Sequence, residues 1–318
     1  VVGSKLVSLT PSIIIQGGDD DDFKGYRNLA IGDSTLVRNT TGWENLALGH
    51  SALYSNTTGD FNMAIGSYAL SNNISGDHNV ALGEDALEFN TTGDENTAIG
   101  AHALEDNIDG DDNVAIGSWA MYENETGSRN VAVGFDALES NIDGDDNVAI
   151  GYKALQENDG DFNIAIGKYA LQENDDGDDN IAIGFDALKL NEGNDNIAIG
   201  KHALELNKDD LNIAIGKYAL QESDAGGDNI AIGFEALEYN DDGDYNIAIG
   251  EFALQFNYGD DNIALGYNAL LNNKGDDNIA IGDDALRTNT VGDYNIAIGE
   301  QSGITITTGS GNTFLGAY

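Results

Sequence analysis

Cysteine is absent from the 318 residues, and proline occurs once, at Pro11. No disulfide framework can therefore hold the fold. Lysine and arginine total 13 against 56 aspartates and glutamates, a formal net charge of -43. A surface of that sign repels nucleic acid and anionic lipid, and neither is expected as a partner. Apolar residues come in short pieces, nowhere approaching the roughly 20 consecutive positions of a membrane span. The run Ile13-Ile14-Ile15 is too short for a signal peptide. Against these absences stand 41 glycines and a hydrophobic fraction of 41%, which is too apolar for a disordered tail.

What fills the chain is one repeat. Asn-Ile-Ala-Ile-Gly and its close variants begin at Asn28 and recur to Asn312 in 18 copies, 12 of the intervals being 17 residues and five being 16. The constant part reads Asn-Ile-Ala-Ile-Gly-x-x-Ala-Leu-x-x-Asn. Each 16-residue interval loses its residue between the closing Asn and the next opening Asn: Asn158 to Asn163 is five steps, Asn141 to Asn147 six. Length variation confined to one place marks a surface loop. The Asp-Gly-Asp-Asp sequences found there are turn chemistry.

A helical repeat would need about 30 residues per unit, which a 17-residue unit with Gly inside it cannot supply. Short Val/Ile-rich segments bounded by Gly and Asn read as strands. The fold class expected is therefore all-β: a parallel β-solenoid, or β-roll, of about 18 coils over residues 28–318. Residues 1–27 form an N-terminal strand, linker or docking segment. Coils stacked about 4.8 Å apart would place like residues over one another. The ladder is exemplified by Asn113, Ile116, Gly117, Ala120 and Asn124, by Asn147, Ile150, Gly151, Ala154 and Asn158, and by Asn180, Ile183, Gly184 and Ala187. The Asn positions are expected to form amide ladders and the Gly a turn that a Cβ would hinder.

Strand parity speaks to assembly. In Ile197-Ala198-Ile199 the two Ile share one face and Ala takes the other. A strand apolar on both faces is buried on both. One face can fill a thin coil, and the other calls for a partner, which closed symmetry makes a second copy of the chain. The alternative is a monomer whose second face is covered by its own Ala-Leu segment.

The Asn-Ile-Ala-Ile-Gly-x-x-Ala pattern resembles the head repeats of trimeric autotransporter adhesins, and is similar to repeats in phage and viral tail-fibre proteins. The resemblance covers residues 28–318 and implies a homotrimer of left-handed parallel β-rolls. The chain departs from that family in its longer period, its acidic loops and the lack of a heptad stalk or barrel anchor. Its segment Gly303-Ile304-Thr305-Ile306-Thr307-Thr308-Gly309 also departs from the repeat and looks like a modified last coil.

Candidate chemistry is sparse. Stacked loops would bring the carboxylates of Asp111, Asp112, Asp145, Asp146, Asp178, Asp179, Asp276 and Asp277 close together, where calcium could relieve their repulsion. A solvated, salt-screened acidic edge is the other reading. Calcium is a candidate ligand, and no cofactor is required. Aromatics recur after the Gly at Tyr68, Trp119, Phe135, Tyr152, Tyr169, Phe185, Tyr218, Phe234, Phe252 and Tyr267. They could grip a host-surface glycan or protein receptor, or simply cover the roll and fill grooves between protomers. His50, His78, His102 and His202 show no metal or catalytic spacing and read as incidental surface residues.

Regular units without cleft-forming insertions speak against an enzyme. The function expected is structural and adhesive: the shaft or head of an extracellular fibre on a cell or virion. The alternative is a self-assembling extracellular filament or surface-layer subunit, joined end to end by strand donation from residues 1–18.

Overall fold

The computed structural model describes the backbone of Ser12–Ile15, and residues 27–223 and 226–317 in full. The chain is all-β, with no helix among the described residues, and its parallel strands wind a β-solenoid of about 17 turns. It divides into two units, Val1–Asp159 and Gly160–Tyr318, built by the same rule.

In the first unit, β1 (Ser12–Ile15) pairs antiparallel with β2 (Leu29–Gly32), Ile14 opposite Ala30. From β2 onward each strand lies parallel to the one before, Leu29 beside Leu46 and Val131 beside Val148. The rest of residues 1–27, including the acidic run Asp19 to Asp22, lies outside the described residues. In the second unit the same register runs from Ile164–Ile166 to Thr313–Leu315. A second ladder of two-residue strands forms there at the closing Asn, as where Leu190-Asn191 pairs with Leu206-Asn207.

The strands are three residues long because glycine ends them. Gly117, Gly151 and Gly184 have φ of 142°, 142° and 146°. A Cβ on Gly117 would also collide with the carbonyl oxygen of Gly134 in the next coil. Three further residues per coil are left-handed. In the coil opened by Asn180 these are Asp179, Asp186 and Leu188, with φ of 56°, 53° and 48°. Asp tolerates this region, whereas Leu pays about 1–2 kcal/mol for it. Leu188 is held there by complete burial and by its N–H donating to the Ala203 carbonyl at 3.0 Å.

The parity of the strand is as expected, and the structure decides which face is inside. Ala115, Ala149 and Ala182 are fully buried, as are Ala120, Ala154 and Ala187 and the Leu that follows each of the last two. So thin a coil has room for methyl groups and one Leu per turn. The Ile columns point outward, with Ile116, Ile150 and Ile183 between 36% and 39% exposed. The Ala-Leu segment is itself interior, so within a single chain it does not cover the Ile columns.

Both Asn positions are buried, and their roles differ. The closing Asn forms the expected amide ladder: Asn124 Nδ2 donates to Asn107 Oδ1, and Asn158 Nδ2 to Asn141 Oδ1, each at 2.9 Å. The opening Asn joins such a ladder late in the chain, Asn262 Nδ2 donating to Asn246 Oδ1 and Asn295 Nδ2 to Asn278 Oδ1, each at 3.1 Å, and it makes two further kinds of bond. Its Oδ1 accepts the backbone N–H of its counterpart one coil on, as Asn96 does from Asn113 at 3.0 Å and Asn130 from Asn147 at 2.8 Å. Its Nδ2 crosses the coil. Asn113 and Asn124 both donate to the Gly127 carbonyl, at 2.8 and 2.9 Å. Asn180 and Asn191 likewise share the Gly193 carbonyl. Two amides from opposite ends of one coil thus meet on one corner oxygen.

That corner also locates the missing residue of the short coils. In a 17-residue coil the closing Asn donates to a Gly three residues on, Asn141 to Gly144. In a 16-residue coil the Gly is two residues on, Asn191 to Gly193, and in one coil Asp209 takes its place below Asn207. From Gly to the next Asn the spacing is three in both, so only the step before the Gly is elastic. The terminal coil departs as expected: Gly303 stands where Leu would, and the Phe314 ring fills the space against it.

Candidate functional site

The eight corner aspartates fall into two kinds. The first, just after the corner Gly, caps backbone. Asp145 Oδ1 accepts the Ser128 N–H at 2.7 Å, Asp178 that of Asp161 at 2.7 Å, and Asp276 that of Asp260 at 3.1 Å. Asp111 accepts the Asp94 N–H at 2.7 Å. The second kind, just before the opening Asn, is left-handed: Asp112, Asp146, Asp179 and Asp277 have φ of 56° to 58°. Asp suits both tasks without a ligand. Arg129 also bridges to Asp145 and Asp146 at 2.9 and 2.8 Å, and its hydrogen bonds hold the Asp146 carboxyl below its ordinary range. None of the eight joins a group of three potential metal-binding side chains among the described residues.

The residues after the strand Gly form an outward aromatic column. In the second unit it runs Tyr169, Phe185, His202, Tyr218, Phe234, Phe252 and Tyr267, with neighbouring ring centroids 5.3 to 6.2 Å apart. Lysines lie against it, Lys168 over Tyr169 at 4.6 Å and Lys217 over Tyr218 at 4.4 Å. In the first unit Phe135 stacks on Tyr152 at 5.7 Å. Coil-to-coil stacking accounts for the recurrence of these rings while leaving their edges in solvent, Tyr152 being 41% exposed.

Two of the four histidines share a position in the repeat. His50 and His78 stand apart in the repeat, but His102 and His202 occupy the same place, the second residue after the strand Gly, with φ of 59° and 55°. Each has an Asp at that same place one coil earlier and a Glu three residues later. His102 Nδ1 lies 2.5 Å from Glu105 and 3.7 Å from Asp85. His202 Nδ1 lies 3.1 Å from Glu205 and 3.6 Å from Asp186. The signal was present in the sequence: Asp85 and His102 are one 17-residue period apart, Asp186 and His202 one 16-residue period.

Around His102 the carboxylates crowd. Burial is the main cause that raises Asp85, Glu105 and Asp106, and Glu88 is pushed up to about 7 by burial and then by Asp85, Glu105 and Asp106. In comparison with known proteins, no family model and no curated sequence matches the chain.

Proposed function

We propose that the chain is a structural and adhesive fibre element, a β-roll that assembles as a homotrimer through its outward Ile columns and acts outside the cell, on a cell or virion surface. The observation that carries this reading is a contrast between two exposed columns. The first residue after the strand Gly varies freely, being Glu84, Ser118, Phe135, Lys168, Tyr267 or Asp283. The last strand residue is no more hidden, Ile199 at 36% and Ile249 at 41%, yet all 18 copies place Ile, Leu or Val there. In-register neighbours of the same chain cover each of these side chains only in part. A sister chain laid along the column would cover the rest, and apolar area removed from water stabilises by roughly 25 cal/mol per Å². Left-handed winding and three-fold closure are what the resemblance to autotransporter heads adds. The repeat offers regular ladders, which favour a binding or scaffolding role over catalysis. The aromatic and lysine column is the face available to a glycan or protein receptor.

The filament alternative requires residues 1–18 to pair with another subunit. Against it, Ser12–Ile15 already pairs with Leu29–Gly32 of its own chain.

Sedimentation and mass photometry test the trimer. A species three times the 33.5 kDa chain mass is expected at micromolar concentration. Replacing Ile183, Ile199 and Ile215 together with Lys should give folded monomers, because these side chains contribute nothing to the interior. A folded wild-type monomer at micromolar concentration would refute the reading.

A further inference from the structure

We propose that Asp186, His202 and Glu205 form a zinc-type divalent metal site, and that Asp85, His102 and Glu105, where His102 Nδ1 hydrogen-bonds Glu105 Oε2 at 2.5 Å, form a second one from the same residue types. In each group one ligand atom from each residue lies within 4.8 Å of the other two. Zinc bound by nitrogen and oxygen at 2.0–2.2 Å in a tetrahedron separates its ligand atoms by about 3.4 Å. The two separations from His202 Nδ1, 3.1 Å to Glu205 Oε2 and 3.6 Å to Asp186 Oδ2, bracket that edge.

At the first site the ring nitrogen and the other oxygen of Asp186 lack hydrogen-bond partners. His202 Nδ1 and Asp186 Oδ1 are buried and make no hydrogen bond, and Asp186 is only 7% exposed. A ring nitrogen and a carboxylate oxygen, both buried and both without a proton donor between them, are satisfied together by a cation. Burial also raises the Asp186 carboxyl above its ordinary value, even with Lys189, His202 and Lys168 pulling it down.

The group is braced as a ligand set would be. Gln221 Nε2, one coil on, donates to Glu205 Oε2 at 2.7 Å and fixes the carboxylate. The His202 ring stacks on Tyr218, centroids 5.3 Å apart and 14° from parallel, and the His102 ring on Trp119 at 4.3 Å.

A third coil serves as an internal control. Lys153 occupies the histidine position there, with Asp136 beneath it at 3.6 Å, and Gln156 replaces the Glu. Where the column brings its own positive charge, the third acidic side chain is missing. Where it brings an imidazole, two carboxylates surround it. Imidazole nitrogen selects zinc-like ions over calcium and magnesium, which take oxygen ligands. These two positions are thereby distinct from the all-carboxylate corners.

Equilibrium dialysis against zinc tests the proposal, with millimolar calcium present to occupy unselective carboxylates. Two tightly held zinc ions per chain are expected. His202→Asn and His102→Asn should each remove one, with affinity at the altered site falling at least about 10-fold, and the double variant should retain none. Asn268 stands at this position in another coil with φ of 55°, so the substitution fits the fold. In wild-type chain labelled with 15N-histidine, zinc should shift the Nδ1 signals of His102 and His202 and leave those of His50 and His78 in place. Zinc retention by the double variant equal to wild type, no retention by wild type, or uniform shifts of all four histidines would overturn the proposal.

Discussion

The strand side and the acidic corner of each coil are both ladders, yet only the corner changes length. Along Asn-Ile-Ala-Ile-Gly the side chains alternate between a filled interior and the outer face, so one extra residue would reverse every assignment after it. At the corner, the step between the closing Asn and the Gly carbonyl is spanned by a side-chain amide, which reaches the oxygen two or three residues on equally well. Packing is intolerant of register, and a flexible donor is not.

The strongest way to break this contrast is a pair of insertions. One residue placed between Ala198 and Ile199 should cost the unit its cooperative fold, about 5 kcal/mol or more. One residue placed between Asn191 and Glu192 only restores the 17-residue spacing and should stay within about 0.5 kcal/mol. Urea midpoints decide, and equal effects would show that the two sides are not different in kind.

A smaller effect separates fully buried from half-buried hydrogen bonding at the corner itself. Asn124→Ala strips the bonds to Asn107 Oδ1 and the Gly127 carbonyl in a fully buried place and should cost about 1–3 kcal/mol. Asp145→Ala removes a half-buried cap and an exposed ion pair and should cost no more than about 1 kcal/mol. Thermal unfolding that ranks these two in reverse would place the corner's strength in its carboxylates.

The smallest effect concerns charge. Glu88, at about 7, binds its proton more tightly folded than unfolded, where its ordinary value is 4.5. Its contribution to stability is therefore fully present below pH 4.5 and is lost as the pH rises through 7. The melting temperature should climb as pH falls from 7 to 5, and Glu88→Gln should flatten that slope. An unchanged slope would assign the pH response to the other acidic groups.

Much of the fold could be read from the repeat. Eighteen copies of one motif identified the solenoid, its in-register Ile and Ala columns and the elastic loop. Which face turned inward could not be read, because Ile183 and Ala182 are both apolar and only the narrowness of the coil decides for the methyl group. The second amide ladder, at the opening Asn, forms from Asn246 to Asn312, but sequence does not show that Asn113 reaches across its coil to the Gly127 carbonyl. The aspartates are legible as turn residues, but the backbone N–H groups of the preceding coil whose bonds Asp145 and Asp178 accept are not. His202 is hard to recognise in sequence because its partners are neighbours in space: Asp186 lies beneath it, 16 residues earlier, and only alignment of successive coils brings them together.

The left-handed residues have a consequence for how the chain acquires this shape. Each coil carries three of them, and the Leu alone sacrifices about 1–2 kcal/mol of backbone ease. What compensates Leu188, the Ala203 carbonyl, belongs to the following coil. A solitary turn therefore has no reason to exist. Repeats that contact only their neighbours fold by nucleation and propagation, each finished turn serving as the template for the next. In that light the antiparallel hold of Ser12–Ile15 on the first coil supplies an edge against which the earliest turn can set.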